Sequence, residues 1–395
     1  MSLPPLILKK HEDRRLRAGH LWVFSNEVDT GKSPLKGFAP GDLVEIQAAG
    51  GQTIGTGYVN PNSLIAARIL SRDPRHLPDR SLLVHRLNVA LSLRERLYSK
   101  PYYRLAFGES DGLPGLVVDR YGDVLVAQIT TAGMERMKTD IVAALEKVVG
   151  PKAILMRNDT GIRELEGLPL YTEAALGTVP DSVQVEEHGL RFEVPLSGGQ
   201  KTGWFFDQYA NRARLFPYIK GQKVLDVCSY MGAWGVQAAA HGAAGVTAVD
   251  SSATALSWAG RNAKTNGVEL GLLEADAFDA LKGLREAGEK FGVVVLDPPA
   301  FVKRRKDLAA GSEAYRRLNQ LAMQVLDRDG ILVSCSCSHH MSGADLLAAI
   351  QSAVRHLGRE AQVLEQGMQA PDHSIHPAIP ETAYLKAFYV RVVTT

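Results

Sequence analysis

From Lys223 onward the sequence alternates short apolar runs with helix-patterned stretches: Lys223 to Cys228, a helix over Ala233 to His241, Gly245 to Asp250, a helix over Ala253 to Asn266, Val293 to Asp297, and Ile331 to Cys335. The runs are continuously apolar, as in Val293-Val294-Val295-Leu296, and do not alternate with polar residues. A strand that is apolar on both faces must be covered on both, and interleaved helices supply that cover. The pattern predicts an α/β fold, a parallel sheet with helices on both faces, whose ligands bind beyond the carboxyl ends of the strands.

The remainder of the 395 residues has a different character. Up to Ser71, β-type runs (Leu43 to Ile46, Leu64 to Leu70) are broken by Gly-rich stretches read as turns, Ala49-Gly50-Gly51 and Gly55-Thr56-Gly57, which implies a small curved β-domain. Ser71-Arg72-Asp73-Pro74 marks a boundary. A helix from Ser81 to Ser99, strands Leu116 to Asp119 and Val124 to Thr130, a helix from Met134 to Val148 and a strand Ile154 to Arg157 give a β-β-α-β order, an α+β module ending near Pro180. A hairpin follows, Val183 to Glu187 and Leu190 to Val194 around His188-Gly189. The expected division is residues 1–74, 75–180 and 181–395.

Lys and Arg number 45 against 43 Asp and Glu, and 45% of residues are hydrophobic, which excludes disorder and coiled coil. No run reaches the roughly 18 apolar residues of a membrane span, and the first ten residues lack the basic-then-apolar order of a secretion signal. Three cysteines cannot form a paired disulfide framework, so a reducing compartment, the cytoplasm, is expected. A net charge of +2 neither requires nor excludes nucleic acid, because phosphate binding depends on clustering. Two clusters stand out, Lys9 to Arg17 and Lys303-Arg304-Arg305-Lys306; either could equally be a solvated face.

Acids end the strands in series: Asp226, Asp250, Asp276 (before Ala277) and Asp297. Asp250 lies 24 residues beyond Asp226, close to the offset at which a carboxylate grips ribose hydroxyls; its plainer role would be a helix N-cap before Ala253. The first turn, Asp226-Val227-Cys228-Ser229-Tyr230-Met231-Gly232-Ala233-Trp234-Gly235, lacks G-x-G-x-x-G, so it serves a pyrophosphate poorly. A cofactor without phosphates fits better. S-adenosylmethionine is one: its ribose suits Asp250, its adenine Asp276, and its amino-acid end the turn around Asp226, Ser229 and Gly232. The ordered spacing points to a class I methyltransferase.

Asp297-Pro298-Pro299-Ala300-Phe301 holds a rigid backbone just past a strand, suited to the edge of a nucleobase, with Phe301 placed to stack on it or to fill core. The next strand runs into Ser334-Cys335-Ser336-Cys337-Ser338, where Cys335 and Cys337 share a face. Carbon-5 of cytosine becomes nucleophilic when a thiolate adds at carbon-6, so a cysteine opposite the base-binding acid suits that chemistry. Cys228 is read as packing, and a metal is not expected because no second ligand pair accompanies the cysteines. His339, His340, His373 and His376 are read as loop residues.

The chain resembles the three-domain 23S ribosomal RNA (cytosine-5)-methyltransferases over nearly its whole length. The matching stretches are His20-Leu21-Trp22-Val23-Phe24-Ser25, Gly108-Glu109-Ser110-Asp111-Gly112-Leu113-Pro114-Gly115, Lys201-Thr202-Gly203-Trp204-Phe205-Phe206-Asp207-Gln208, Asp297-Pro298-Pro299 and Ser336-Cys337-Ser338. The resemblance implies an N-terminal PUA β-barrel that binds RNA, a central α+β domain and a Rossmann-like class I methyltransferase domain using S-adenosylmethionine. It implies Cys337 as catalytic cysteine, Asp297 as base-contacting acid, and Gln208 with Arg212 as the segment enclosing the cofactor. Lys201 lies in a matching motif as a candidate substrate contact. Ala300 departs from the wider group, in which two-cysteine enzymes carry a second cysteine there for product release; Cys335 is a candidate substitute.

The expected activity is methylation of cytosine carbon-5 in large-subunit ribosomal RNA, with no membrane or metal partner and a homodimer left open. Two alternatives stand beside it: methylation of an exocyclic amine on guanine or adenine, which needs no cysteine, and a ribosome-assembly factor that binds RNA without catalysis.

Overall fold

The computed structural model describes residues 3–73, 75–196 and 203–394. These form two compact units. The first comprises Met1–Val183, Pro195–Phe206 and Pro371–Thr382, and the second Gln184–Val194, Asp207–Ala370 and Ala383–Thr395.

The first unit holds two five-stranded sheets. In one, the strand order is Pro5–Ile7, Asp42–Gln47, Thr53–Val59, Ile65–Ser71, Trp22–Phe24, with the first pair parallel and the others antiparallel. Leu6, Leu8, Val23, Val44, Ile46, Val59, Ile69 and, from the 371–382 segment, Ile379 form its core. Gly55-Thr56-Gly57, expected as a turn, lies inside the strand Thr53–Val59. The glycine is a spacing device: a Cβ on Gly57 would sit 1.9 Å from the Arg68 carbonyl oxygen on the neighbouring strand.

The second sheet runs Tyr171–Leu176, Ala153–Asn158, Val124–Ile129, Leu116–Tyr121, Tyr102–Phe107. Helix Lys138–Val149 connects the parallel pair Val124–Ile129 and Ala153–Asn158, and helix Arg80–Leu97 precedes the sheet. The expected β-β-α-β order is the middle of this sheet. The two edge strands were not legible; Arg104 interrupts the apolar run of Tyr102–Phe107, and its charge is met by the buried Asp119 at 2.8 Å.

The second unit carries a seven-stranded sheet. In chain order its strands are β1 (Lys223–Val227), β2 (Gly245–Asp250), β3 (Gly271–Glu274), β4 (Phe291–Leu296), β5 (Leu326–Ser336), β6 (Arg359–Met368) and β7 (Lys386–Thr394). Helices α1 (Ala233–Ala240), α2 (Ala253–Thr265), α3 (Ala277–Glu286), α4 (Leu308–Val325) and α5 (Gly343–His356) intervene. The spatial order is β3-β2-β1-β4-β5-β7-β6. The first five strands are parallel, as expected, whereas β7 pairs antiparallel with both β5 and β6. The sheet is therefore mixed, which corrects the all-parallel expectation: past α5 the chain supplies no further crossover helix, so β6 and β7 join as an antiparallel pair.

Side-chain alternation sorts the two faces. Leu225, Val227, Val294, Leu296 and Leu332 pack with Leu281, Leu318, Met323, Leu346 and Ile350 on one side. Val224, Val293, Val295, Val333 and Cys335 pack with Leu215, Ile219, Trp234 and Tyr389 on the other. The hairpin Ser182–Glu187 and Leu190–Pro195 forms as expected, with His188 and Gly189 both at positive φ. No helix among the described residues is long and apolar enough to cross a membrane.

Candidate active site

The acids at the strand ends converge because β1, β2 and β4 are aligned in register, with Val227 opposite both Val249 and Leu296. Asp226 is fully buried on β1. Its Oδ2 accepts from the Gly235 amide at 2.9 Å, and Oδ1 has no partner among the described residues. Burial, and then the charges of Asp297 and Asp250, raise its carboxyl to about 8.

The turn after β1 is tightly wound. Cys228 (φ +63°), Tyr230 (φ +50°) and Gly232 (φ +78°) are left-handed, and two of them are not glycine. Such outliers persist where surrounding bonds fix them. Asp250 supplies one: its Oδ2 accepts from Tyr230 N at 2.8 Å and its Oδ1 from Ser252 N at 2.9 Å. The cap of α2 is Ser252 itself, whose hydroxyl accepts from Ala255 N, so Asp250 is not that helix's cap. Gly232 begins α1 where a Cβ would lie 2.9 Å from the Ala259 Cβ. Ser229 is buried and its hydroxyl has no partner among the described residues.

Asp276 is exposed and caps α3, accepting from Phe278 N at 2.8 Å; Ala277 is the first residue of that helix. Cys228 packs against the core, as expected, and is half-buried where the charges of the acids also reach it. Burial and then the charges of Asp250, Asp297, Asp226 and Asp276 hold its thiol well above the usual range.

Asp297 follows β4 and receives two side-chain donors, Gln208 Nε2 on Oδ1 at 2.9 Å and Trp234 Nε1 on Oδ2 at 3.0 Å. Burial raises its carboxyl, and the Trp234 bond opposes that shift. Gln208 is buried and its carbonyl accepts from Asn211. Arg212 is buried too, with Nε and Nη2 on the two oxygens of Glu187 at 2.5 and 2.8 Å. Pro298 is buried and Pro299 exposed. Phe301 is half-buried, its ring 4.7 Å from that of Tyr315 and 6.3 Å from that of Phe278.

Cys337, half-buried, is the first residue past β5. Hydroxyls pin the backbone on either side of it: Ser336 Oγ donates to Tyr315 Oη at 2.9 Å, and Ser338 Oγ lies 3.1 Å from Tyr315 Oη and accepts from Val302 N. Cys335 is fully buried among Val333, Val295 and Tyr389, and burial holds its thiol up, opposed by a hydrogen bond to Gln208. A thiol so enclosed fills core, which corrects its reading as a substitute for the missing second cysteine. His339 and His340 are exposed; His373 lies in a loop, as expected, but is buried, its Nδ1 2.8 Å from Asp372 Oδ1. Lys201 lies outside the described residues. Trp234 was missed in the sequence, because an indole in a helix reads as core.

Residues 170–391 match the family model described as S-adenosylmethionine-dependent methyltransferase. The chain belongs to that family. Residues 6–72 match a PUA-like domain. The methyltransferase is 37% identical over 400 residues to "Ribosomal RNA large subunit methyltransferase I" of Salmonella arizonae, covering 99% of this chain and 98% of that one. It is 38% identical over 397 residues to the protein of the same name from Aliivibrio fischeri, covering 98% and 99%. Among solved structures, a Streptococcus mutans protein described as a SAM-dependent methyltransferase superposes with a TM-score of 0.83 at 20% identity, over 98% of this chain and 100% of that one. A second, solved in complex with SAH, superposes with a TM-score of 0.85 at 20% identity and the same coverage. These two likenesses show the fold.

The residues present fit S-adenosylmethionine. Asp226 Oδ1 and Ser229 Oγ are buried acceptors lacking a partner among the described residues, which an ammonium group would satisfy, and no arginine or lysine closes the turn for a phosphate. The fold is thus a Rossmann-like methyltransferase domain following a PUA-like domain.

Proposed function

We propose that this methyltransferase modifies carbon-5 of a cytosine in large-subunit ribosomal RNA, using Cys337 as nucleophile and Asp297 as the acid facing the base. The observation that carries the reading is Cys337 itself: a half-buried thiol at the end of β5, its loop pinned by Ser336, Ser338 and Tyr315. Methylation of an exocyclic amine would require no such residue. The names of the relatives, the PUA-like match at residues 6–72 and the exposed run Lys303 to Lys306 support RNA as the substrate class and the cytoplasm as the compartment. The chain is read as an RNA-binding segment (1–74), a central module (75–180) and the catalytic domain (181–395).

S-adenosylmethionine, when bound, supplies an electrophilic methyl group. Asp226, Ser229 and the backbone at Gly232 would hold its amino-acid end, Asp250 its ribose, and Asp276 with Ala277 its adenine; Gln208 and Arg212 would shape the wall beside them. On the RNA side, the base must be unstacked to enter. Pro298 and Pro299 fix the backbone beside it, and Phe301 and Lys201 are its further candidate contacts. The Cys337 thiolate adds to carbon-6, carbon-5 becomes enamine-like, and after methylation loss of the carbon-5 proton expels the thiolate.

The test is to treat unmodified large-subunit RNA with the enzyme and locate the methyl group by mass spectrometry. A 5-methylcytosine is expected; a methyl on an exocyclic amine would overturn the reading.

A further inference from the structure

Lys386 opens β7 directly opposite Ser336 in the ladder with β5, one residue before Cys337. Its Nζ donates to the carbonyl oxygens of Ser338 at 2.6 Å and Tyr384 at 2.8 Å. The ammonium therefore grips the residue after Cys337, while the ladder holds the residue before it. Leu385 and Ala387 on either side are buried, so the charge is carried on a largely enclosed strand end.

We propose that Lys386 is a positioning residue that holds Cys337 as a thiolate and fixes the loop presenting it, an inference that rests on Cys337 being the nucleophile. An ammonium withdrawn from water needs an opposite charge, and carbonyl dipoles offset that need only in part. Asp345, at the start of α5, is the carboxylate acting on Lys386, but its Oδ2 already accepts the Ser342 amide at 2.9 Å and hydroxyl at 2.7 Å in a capping box. Cys337 is the other group whose charge acts on it. The consequence of burial is visible on the lysine, which is held down to about 8, with Cys337 and then Asp345 opposing the shift. Tyr315 from α4 and Cys335 on β5 also feel the charge of Cys337, and burial raises both, while the exposed His339 and His340 follow it in the loop. Ionisation releases the thiol proton to solvent, and at neutral pH Lys386 keeps its own.

The experiment is alkylation of the full-length protein by iodoacetamide, without cofactor or RNA, following the Cys337 peptide by mass spectrometry across pH. In the unmodified enzyme the Cys337 profile is expected to turn over below the ordinary thiol value of about 8.5. Lys386→Gln keeps a donor for the carbonyls and removes the charge; its profile should move up by about one unit, slowing reaction at neutral pH about tenfold. Lys386→Arg should retain the profile of the unmodified enzyme. A turnover at or above 8.5 in the unmodified enzyme overturns the proposal without any variant, as does a Gln variant with an unchanged profile. Failure of the nucleophile reading is separate: it would appear as methylation by Cys337→Ala, which the alkylation profile does not measure.

Discussion

Trp234 Nε1 donates to Asp297 Oδ2 at 3.0 Å, joining the first helix of the catalytic sheet to the acid that ends β4. Gln208 holds the other oxygen. With both oxygens engaged, the carboxyl is fixed in one plane beside Pro298, and each oxygen keeps a further lone pair for a ligand donor. Trp234→Phe retains the ring and removes the donor. Its RNA methylation rate should fall about tenfold, the worth of one hydrogen bond to a charged group, while S-adenosylmethionine affinity measured by calorimetry stays nearly unchanged.

Asp226 makes the opposite trade between binding and stability. Its folded-state carboxyl titrates at about 8 against about 4 unfolded, so the native state binds the extra proton between those values. The group's contribution to stability is full below about pH 4 and is lost as pH rises toward 8. Asp226→Asn should flatten that part of the curve, measured as melting temperature against pH, and should weaken S-adenosylmethionine binding at least about tenfold through loss of the carboxylate. A variant with the slope of the unmodified protein would contradict the assignment.

Arg212 and Glu187 form a buried pair, with Gln237 also donating to Glu187 Oε1 at 2.7 Å. Arg212→Met leaves Glu187 buried without its counter-charge. The expected loss is about 3–5 kcal/mol in denaturant unfolding, and Glu187→Gln combined with Arg212→Met should recover part of it.

Lys303 and Arg305 are exposed in the loop between Phe301 and α4, whereas Arg304 pairs with Asp307 at 3.1 Å. If this loop meets RNA phosphates, alanine at both positions should lower the slope of log affinity against log salt by about one to two, with little change in S-adenosylmethionine binding. Filter binding over a salt series reads both effects.

The parallel half of the catalytic sheet was legible because its strands carry apolar runs and the first four lead into an acid. The antiparallel end was not: β6 is mostly exposed and mixes polar residues into its run, so it carries neither signal. The same gap hid Lys386, which lies on β7, 49 residues beyond Cys337 in the chain, and is brought opposite its neighbour Ser336 by strand pairing. Cys228 packs as expected, but its backbone was not legible. Its position two residues past Asp226 implied continued strand, but a left-handed turn carries it among the acids. Cys335 and Cys337 lie two apart on one run, and their depth separates core filler from candidate nucleophile.

The central claim is a covalent bond between Cys337 and carbon-6 of the target cytosine. Ribosomal RNA carrying 5-fluorocytidine tests it, because fluorine at carbon-5 blocks the proton loss that releases the thiolate. Incubation with enzyme and S-adenosylmethionine, digestion and mass spectrometry should find the nucleotide attached to the Cys337 peptide, with no adduct in Cys337→Ala. Methylation of the unsubstituted RNA by Cys337→Ala at the unmodified rate, with no trapped peptide in either protein, would contradict the account.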